Sequence, residues 1–412
     1  MDGPRALRAQ EMGALLELVN NIFTSGRGRM AQAFPTLFCE ENLHHSRVIV
    51  EDGEPVSHIG MVVRDMILNG CRIPVGNVGV VCTDEAYRKR GYAGAILKDA
   101  IRTLREEGVD MLLVSGYRSL YDRHGCTYVG TVEHFEVTHD EATRIASDGT
   151  ALRLLDPRDL PRWARIYQSE PVRFHRPLED FEKFTAEGAV HPYLRRERRF
   201  YSLWEDGRIA AYVVVLVEEK EQERVARVSE YAGSRSVLSG TLEALLSELR
   251  AKRLSLTVPS HDEELSTRLK RAGLTPSLGP TGGTISIIHF ARLCARLRPL
   301  FEERVGKPVA DRLSFEKQDG AYLIALGGKE WILSDVHDVA RLIFGAPPGA
   351  KPPSPIISEN LPQRHREHRE LQDPFLRFSL CSPCLRGESE ALREALHAIF
   401  PIPRPEYGLS YI

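Results

Sequence analysis

The stretch from Val75 to Leu104 constrains this chain most. An apolar, β-rich run (Val75-Gly76-Asn77-Val78-Gly79-Val80-Val81-Cys82) leads through the basic turn Arg88-Lys89-Arg90-Gly91-Tyr92-Ala93 into a segment whose apolar residues Ala95, Ile96, Ala100, Ile101 and Leu104 recur at helical spacing. A strand therefore hands over to a helix through a tight, positively charged turn. Backbone N–H groups at the start of a helix lack intrahelical acceptors and carry partial positive charge, so such a turn can donate several hydrogen bonds to one diphosphate. Gly91 and the small Ala93 let the main chain come close, and Arg88, Lys89 and Arg90 add charge-assisted donors around it.

In this setting Arg88-x-x-Gly91-x-Ala93, preceded by Val81-Cys82-Thr83, resembles the acyl-coenzyme A signature of the GCN5-related N-acetyltransferases (GNAT). A second segment follows in the right order. After Met111-Leu112-Leu113-Val114 comes Ser119-Leu120-Tyr121-Asp122-Arg123-His124-Gly125, which is similar to the Y-x-x-x-G segment of that family. Glu85 stands where many relatives carry Pro, which loosens the turn without removing the phosphate nest. The resemblance implies acetyl-CoA as co-substrate and no metal. It implies that Val81, Cys82 and Thr83 hold and polarise the thioester, that the turn Arg88-Lys89-Arg90-Gly91-Tyr92-Ala93-Gly94 holds the pyrophosphate, and that Gly116 and Tyr117 complete the cofactor site. Tyr121 matches the family's general acid, and a phenol with a pKa of ~10 is a fitting proton donor to a thiolate of similar basicity.

At 412 residues the chain exceeds one ordinary domain of about 150 residues. Hydrophobic residues at 42% against 27% charged describe a globular chain with substantial cores, and a net charge of −2 gives no global pull toward nucleic acid or an anionic membrane. The basic run Arg195-Arg196-Glu197-Arg198-Arg199 lacks interleaved aromatics and reads as a solvated loop. No apolar run approaches a membrane span, and the opening Met1-Asp2-Gly3-Pro4-Arg5 precedes no long apolar segment, so a cytoplasmic location without a cleaved leader is expected.

An internal repeat is visible in two hairpins. Arg47-Val48-Ile49-Val50-Glu51-Asp52-Gly53 returns as Phe200-Tyr201-Ser202-Leu203-Trp204-Glu205-Asp206-Gly207, and a second strand-like run follows each. The later copy continues as a strand (225–231), a helix (238–249) and a strand (254–258), but only Gly233-Ser234-Arg235-Ser236 stands where the basic turn would be. It is expected not to bind CoA. From about Ile285 a helix opens a third part with three strand-like pieces, a helix from Ser334 as N-cap to Ile343, a Pro-rich connector (346–355) and a last helix (388–399).

This order is similar to the enhanced intracellular survival (Eis) type of acetyltransferase. The fold class is accordingly mixed α/β and α+β: a catalytic GNAT domain over 1–145, a degenerate GNAT-like domain over 146–285, and a sterol-carrier-protein-like domain with an extended tail over 286–412. The resemblance further implies that the terminal carboxylate of Ile412 enters the active site as base, that the chain forms a homo-oligomer, possible hexamers included, and that the acceptor is a small-molecule amine or a lysine-containing peptide. Glu40, Glu41 and Asp65 are candidate linings of the acceptor pocket, with His124, Glu133 and His134 as fallback bases. A non-catalytic acyl-CoA or apolar-ligand sensor is the alternative, disfavoured because a pure binder has no use for Tyr121. Cys39, Cys71, Cys82, Cys126 and Cys294 lie singly and read as reduced core residues; Cys381 and Cys384 with His365 and His368 form a group open to zinc or to ordinary loop roles.

Overall fold

The computed structural model describes residues 1–26, 28–186, 196–220, 222–351, 353, 356–359 and 383–410, by backbone alone at 356–359 and 383–389. In chain order the strands are β1 (Asp2–Ala6), β2 (Ser46–Glu51), β3 (Glu54–Leu68), β4 (Cys71–Thr83), β5 (Met111–Val114), β6 (Val132–Thr138), β7 (Thr150–Leu154), β8 (Val172–Phe174), β9 (Glu197–Glu205), β10 (Arg208–Lys220), β11 (Glu223–Gly233), β12 (Arg253–Pro259), β13 (Ser277–Gly279), β14 (Thr284–Ile287), β15 (Ser314–Gln318), β16 (Ala321–Leu326), β17 (Lys329–Leu333) and β18 (Ile356–Glu359). The helices that matter below are α1 (Tyr92–Glu106), α2 (Ser119–Asp122), α3 (Arg235–Gly240), α4 (Leu242–Leu249), α5 (Phe290–Arg296), α6 (Val336–Phe344) and α7 (Pro383–Ile399).

Two mixed sheets share one plan. The first runs β1-β2-β3-β4-β5-β14, with β8 beside the far end of β3; the second runs β7-β9-β10-β11-β12-β6-β13. In each, a hairpin closes on Asp-Gly with both residues at positive φ, 51° and 89° at Asp52-Gly53 and 48° and 73° at Asp206-Gly207. That is the turn whose twist matches paired strands. In each, the fourth and fifth strands are parallel, and helices cross between them: α1 joins β4 to β5, and α3 with α4 joins β11 to β12. The repeat legible in the two hairpins is therefore a repeat of whole GNAT-like sheets.

The sheets exchange their outer strands. β6, from the first third of the chain, runs antiparallel to β12, and β14 returns to run antiparallel to β5. Strand membership thus crosses position 145/146, and position 285/286 falls inside β14. Sequence reading had a helix beginning near Ile285, whereas α5 starts at Phe290, where the His289 ring accepts from Arg292 N (3.2 Å). Four residues, Thr284-Ile285-Ser286-Ile287, are too short a run for alternation to register as a strand.

One face of the first sheet buries Ile59, Met61, Val78 and Leu112 against the stripe Ile96, Leu97, Ala100 and Leu104 of α1. The other face, with Met66, Ile73, Met111 and Ile285, forms one continuous core with Phe290, Leu297, Trp331, Ile343, Leu392 and Ile399 of the C-terminal part. That part is built on an antiparallel sheet, β15-β16-β17-β18, flanked by helices. The N-cap of α6 is Asp335, not Ser334: its carboxylate accepts from His337 N at 2.8 Å. Cys71, Cys82, Cys126 and Cys294 are buried free thiols and Cys39 is half-buried. His365, His368 and Cys381, with the side chain of Cys384, lie outside the described residues. Among the described residues no helix is long and apolar enough to cross a membrane.

Candidate active site

The site begins where two strands part. β4 pairs with β5 only from Val75–Val78 to Met111–Val114. Beyond Val78 the backbone of Gly79 to Thr83 leaves its β5-side edge open. At that point the β3–β4 register slips between His58/Cys82 and Gly60/Gly79, and Val80 takes φ of 50°. A β-branched residue at positive φ is strained by roughly 1–3 kcal/mol and persists only where neighbours over-determine it. Here His58 Nδ1 donates to Val80 O (2.9 Å), and Ser57 Oγ donates to Cys82 O (3.0 Å) while accepting from Thr83 Oγ1 (2.8 Å). Burial pushes the His58 pKa down to about 4, so the ring is neutral and its Nδ1–H holds the bulge.

The open strand leads into the basic turn. Asp84 caps it by accepting from Ala86 N (2.9 Å), Lys89 lies at φ 64°, and Gly91 lies at φ 81° as the N-cap of α1. The first helical bond runs from Ala95 N to Gly91 O (3.1 Å), so the N–H groups of Tyr92, Ala93 and Gly94 stay without helical acceptors. A Cβ placed on Gly91 or Gly94 would meet nothing within 4 Å, which marks open space over the nest. Arg88, Lys89 and Arg90 are exposed around it; the Arg90 guanidinium lies 4.7 Å from the Tyr87 ring centre. Tyr92 contributes its backbone alone, because its hydroxyl donates to Glu51. A shallow groove continues from Gly91 and Gly94 past Lys98, Leu120, Arg123 and His124.

Tyr121 sits on α2 in the same core cluster as Val78, Val114, Ile96 and Leu97, a cluster that Val81 packs against. The residue is 4% exposed, and its hydroxyl makes no hydrogen bond among the described residues. Burial raises its pKa and Arg118 only partly opposes this, so the phenol stays protonated. Gly116 O accepts from Thr284 Oγ1 (3.1 Å), tying the end of β5 to β14. Tyr117 is 51% exposed and stacks on Tyr128. The structure thus brings Val81, Cys82 and Thr83 into succession with the 88–94 turn, and Tyr121 into the core cluster that Val81 joins. Ile412 lies outside the described residues.

A cavity of about 430 Å³ lies between the two sheets. Ser115, just past β5, opens onto it, as do Glu230 and Tyr231 of β11, His261 and Asp262 beyond β12, and Glu406 to Leu409 of the tail. Glu40, Glu41 and Asp65 do not line it: the first two lie on the 40–45 turn and Asp65 pairs with Arg72 (2.5 Å). Glu133 and His134 belong to β6 in the second sheet, where Glu133 engages Ser266 and Lys270 (both 2.5 Å), and His124 borders the groove beside the nest. Charged lining residues such as Glu170, Glu230, Arg235 and Asp262 come from strands and loops far apart in sequence. No local motif marked them.

Residues 4–129 match the family described as acetyltransferase (GNAT) domain. No curated protein matches the chain significantly. Solved structures with the same fold include a GCN5-related N-acetyltransferase from Anabaena variabilis, at a TM-score of 0.60 and 14% identity over 82% of this chain and 88% of that one. A probable N-acyltransferase from Enterococcus faecalis follows at 0.55 and 12% identity, over 86% and 84%. Eis1 from Mycobacterium abscessus matches at 0.51 and 16% identity, over 71% and 74%. The N-terminal third of the chain thus matches the GNAT acetyltransferase domain, within a fold that GCN5-related N-acetyltransferases share over most of their length.

Proposed function

We propose that the protein transfers an acetyl group from acetyl-CoA to a primary amine within a ternary complex. The observation that carries this is the succession of a parted β4–β5 pair and an open anion nest (91–94), with the largely buried Tyr121, whose hydroxyl makes no hydrogen bond among the described residues, in the core cluster that Val81 joins. The diphosphate sits on the N–H groups at the start of α1 with Arg88, Lys89 and Arg90 around it. The pantetheine lies along the unpaired edge of β4, where N–H groups of Val81 to Thr83 polarise the thioester carbonyl.

The amine nitrogen attacks the carbonyl carbon, the C–S bond breaks, and the sulfur takes the phenolic proton of Tyr121, which solvent restores. The amine loses its proton to the carboxylate of Ile412, directly or through one water. With an ordinary pKa near 3.5 that carboxylate is a weak base, so orientation of the amine is the larger part of its role. The burial of Ile402, Arg404, Tyr407, Leu409 and Ser410, with Tyr407 and Leu409 lining the cavity, supports this assignment.

The same reading keeps the division 1–145, 146–285 and 286–412 as functional units despite the exchanged strands. It includes a sterol-carrier-like last domain, a cytoplasmic homo-oligomer, and a small amine or lysine peptide as acceptor. The test is thiol release from acetyl-CoA against aminoglycosides, polyamines and lysine peptides, with calorimetric binding of CoA in parallel. Binding with turnover on one class supports the reading. Tight binding without turnover on any amine leaves the sensor alternative, and no binding removes the assignment of the 88–94 turn.

A further inference from the structure

The second sheet opens as the first does, yet its opening is filled from within. β11 and β12 pair in parallel only from Val225–Arg227 to Arg253–Ser255 and then part, and the β10–β11 register slips just beyond, between Val214/Glu230 and Val215/Val228. This matches the slip in β4 beyond Val78. Where the first sheet offers free N–H groups to an anion, the second meets a carboxylate of its own: Gly233 N donates to Glu170 (2.8 Å), and Arg235 donates to both Glu170 oxygens (2.6 and 2.7 Å) and to Asp262 (2.9 Å). Glu170 takes the place a phosphate would need.

The wedge itself receives the C-terminal segment. Leu409 N donates to Glu230 Oε2 (2.7 Å), and Arg176 donates to Ser410 Oγ (2.9 Å). Glu230 is in turn fixed by both Arg176 nitrogens (2.7 and 2.8 Å) and by the Tyr212 hydroxyl (2.7 Å), all buried. Upstream, Arg404 donates to Thr281 Oγ1 (2.8 Å), Glu406 accepts from Gly282 N (3.1 Å), and Tyr407 stacks on Phe174.

We infer that the cofactor-like cleft of the second sheet is a receptor for this chain's own C-terminal segment, and that Glu230 and Arg176 are positioning residues that anchor it at Leu409 and Ser410. The positioning role rests on the acyltransfer reading above; the receptor site does not. A cleft spent on the tail accounts for a second GNAT-like sheet without a basic turn.

The discriminating variant is Gly408→Ala in the full chain. Gly408 lies at φ 50°, and an added Cβ would stand 2.0 Å from Glu230 Oε2, a carboxylate held by Arg176 and Tyr212, so the contact between the tail and Glu230 must open. Three measurements decide: carboxypeptidase release of the terminal residues followed by mass, calorimetric CoA affinity, and amine transfer. Expected are faster release of Ile412 and Tyr411, unchanged CoA affinity, and kcat lower by about a hundredfold, the scale of a misplaced catalytic group. Ser410→Ala, which removes one acceptor, should fall between wild type and Gly408→Ala. Resistance of the Gly408→Ala tail to digestion overturns the receptor site, and a released tail with wild-type kcat overturns the positioning role. If the wild type transfers to no amine, the acyltransfer reading and the positioning role fall together, while digestion still decides the receptor site.

Discussion

Tyr121→Phe separates chemistry from folding in one substitution. The hydroxyl makes no hydrogen bond among the described residues, so its removal orphans no buried group, and the ring keeps its packing against Ile96, Leu97 and Val114. Stability should therefore change by no more than about 0.5 kcal/mol. Loss of a positioned general acid typically costs ~10²–10⁴ in rate, or about 3–5 kcal/mol of transition-state stabilisation. The assay is thiol release at saturating acetyl-CoA, beside calorimetric binding and a thermal melt. CoA affinity and Tm should match wild type while kcat falls by at least two decades. Because burial raises the phenol's pKa, the midpoint of any loss of wild-type rate from tyrosine ionisation should lie above pH 10, its ordinary value. A wild-type kcat in the variant, or a parallel loss of binding and rate, would refute the assignment of Tyr121 as acid.

Three further outcomes follow from other sites. Gly94→Ala, inside the first turn of α1 with open space at its Cβ, should stabilise the fold by roughly 0.5–1 kcal/mol yet weaken CoA binding, whereas Gly91→Ala, at φ 81°, should weaken binding and also cost about 1–2 kcal/mol; denaturant melts and calorimetry distinguish the pair. The depressed pKa of His58 makes its contribution full above 6.5 and lost as pH falls toward about 4, an interval worth roughly 3 kcal/mol, so His58→Gln should show a flatter stability profile between pH 7 and 4.5 in urea titrations. Arg176→Met leaves the Glu230 carboxylate buried without its cation and should destabilise by about 3–5 kcal/mol, and adding Glu230→Leu should restore part of that loss in the same unfolding assay.

The strand–turn–helix unit at 75–104 was legible because every device in it is local: an apolar run, a glycine at a left-handed N-cap, and a 3.6-residue stripe. The Asp-Gly hairpins were legible for the same reason, since two adjacent residues set their geometry. What escaped was set by distant partners. β14 is four residues long and becomes a strand only because β5 offers it an edge 170 positions earlier in the chain. Val80 gives no hint of its positive φ, which exists because His58 and Ser57 hold the slipped register from the neighbouring strand. Nothing in the sequence around Glu170 and Glu230 distinguishes them from surface acids, and only folding places them against Arg235 and Arg176. Local spacing thus determined by itself the order of strand, glycine turn and helix over 75–104. Which strands each sheet would trade, and which of the two clefts would stay open, were decided only in three dimensions, because long-range pairing and buried charge both depend on partners that no window of sequence contains.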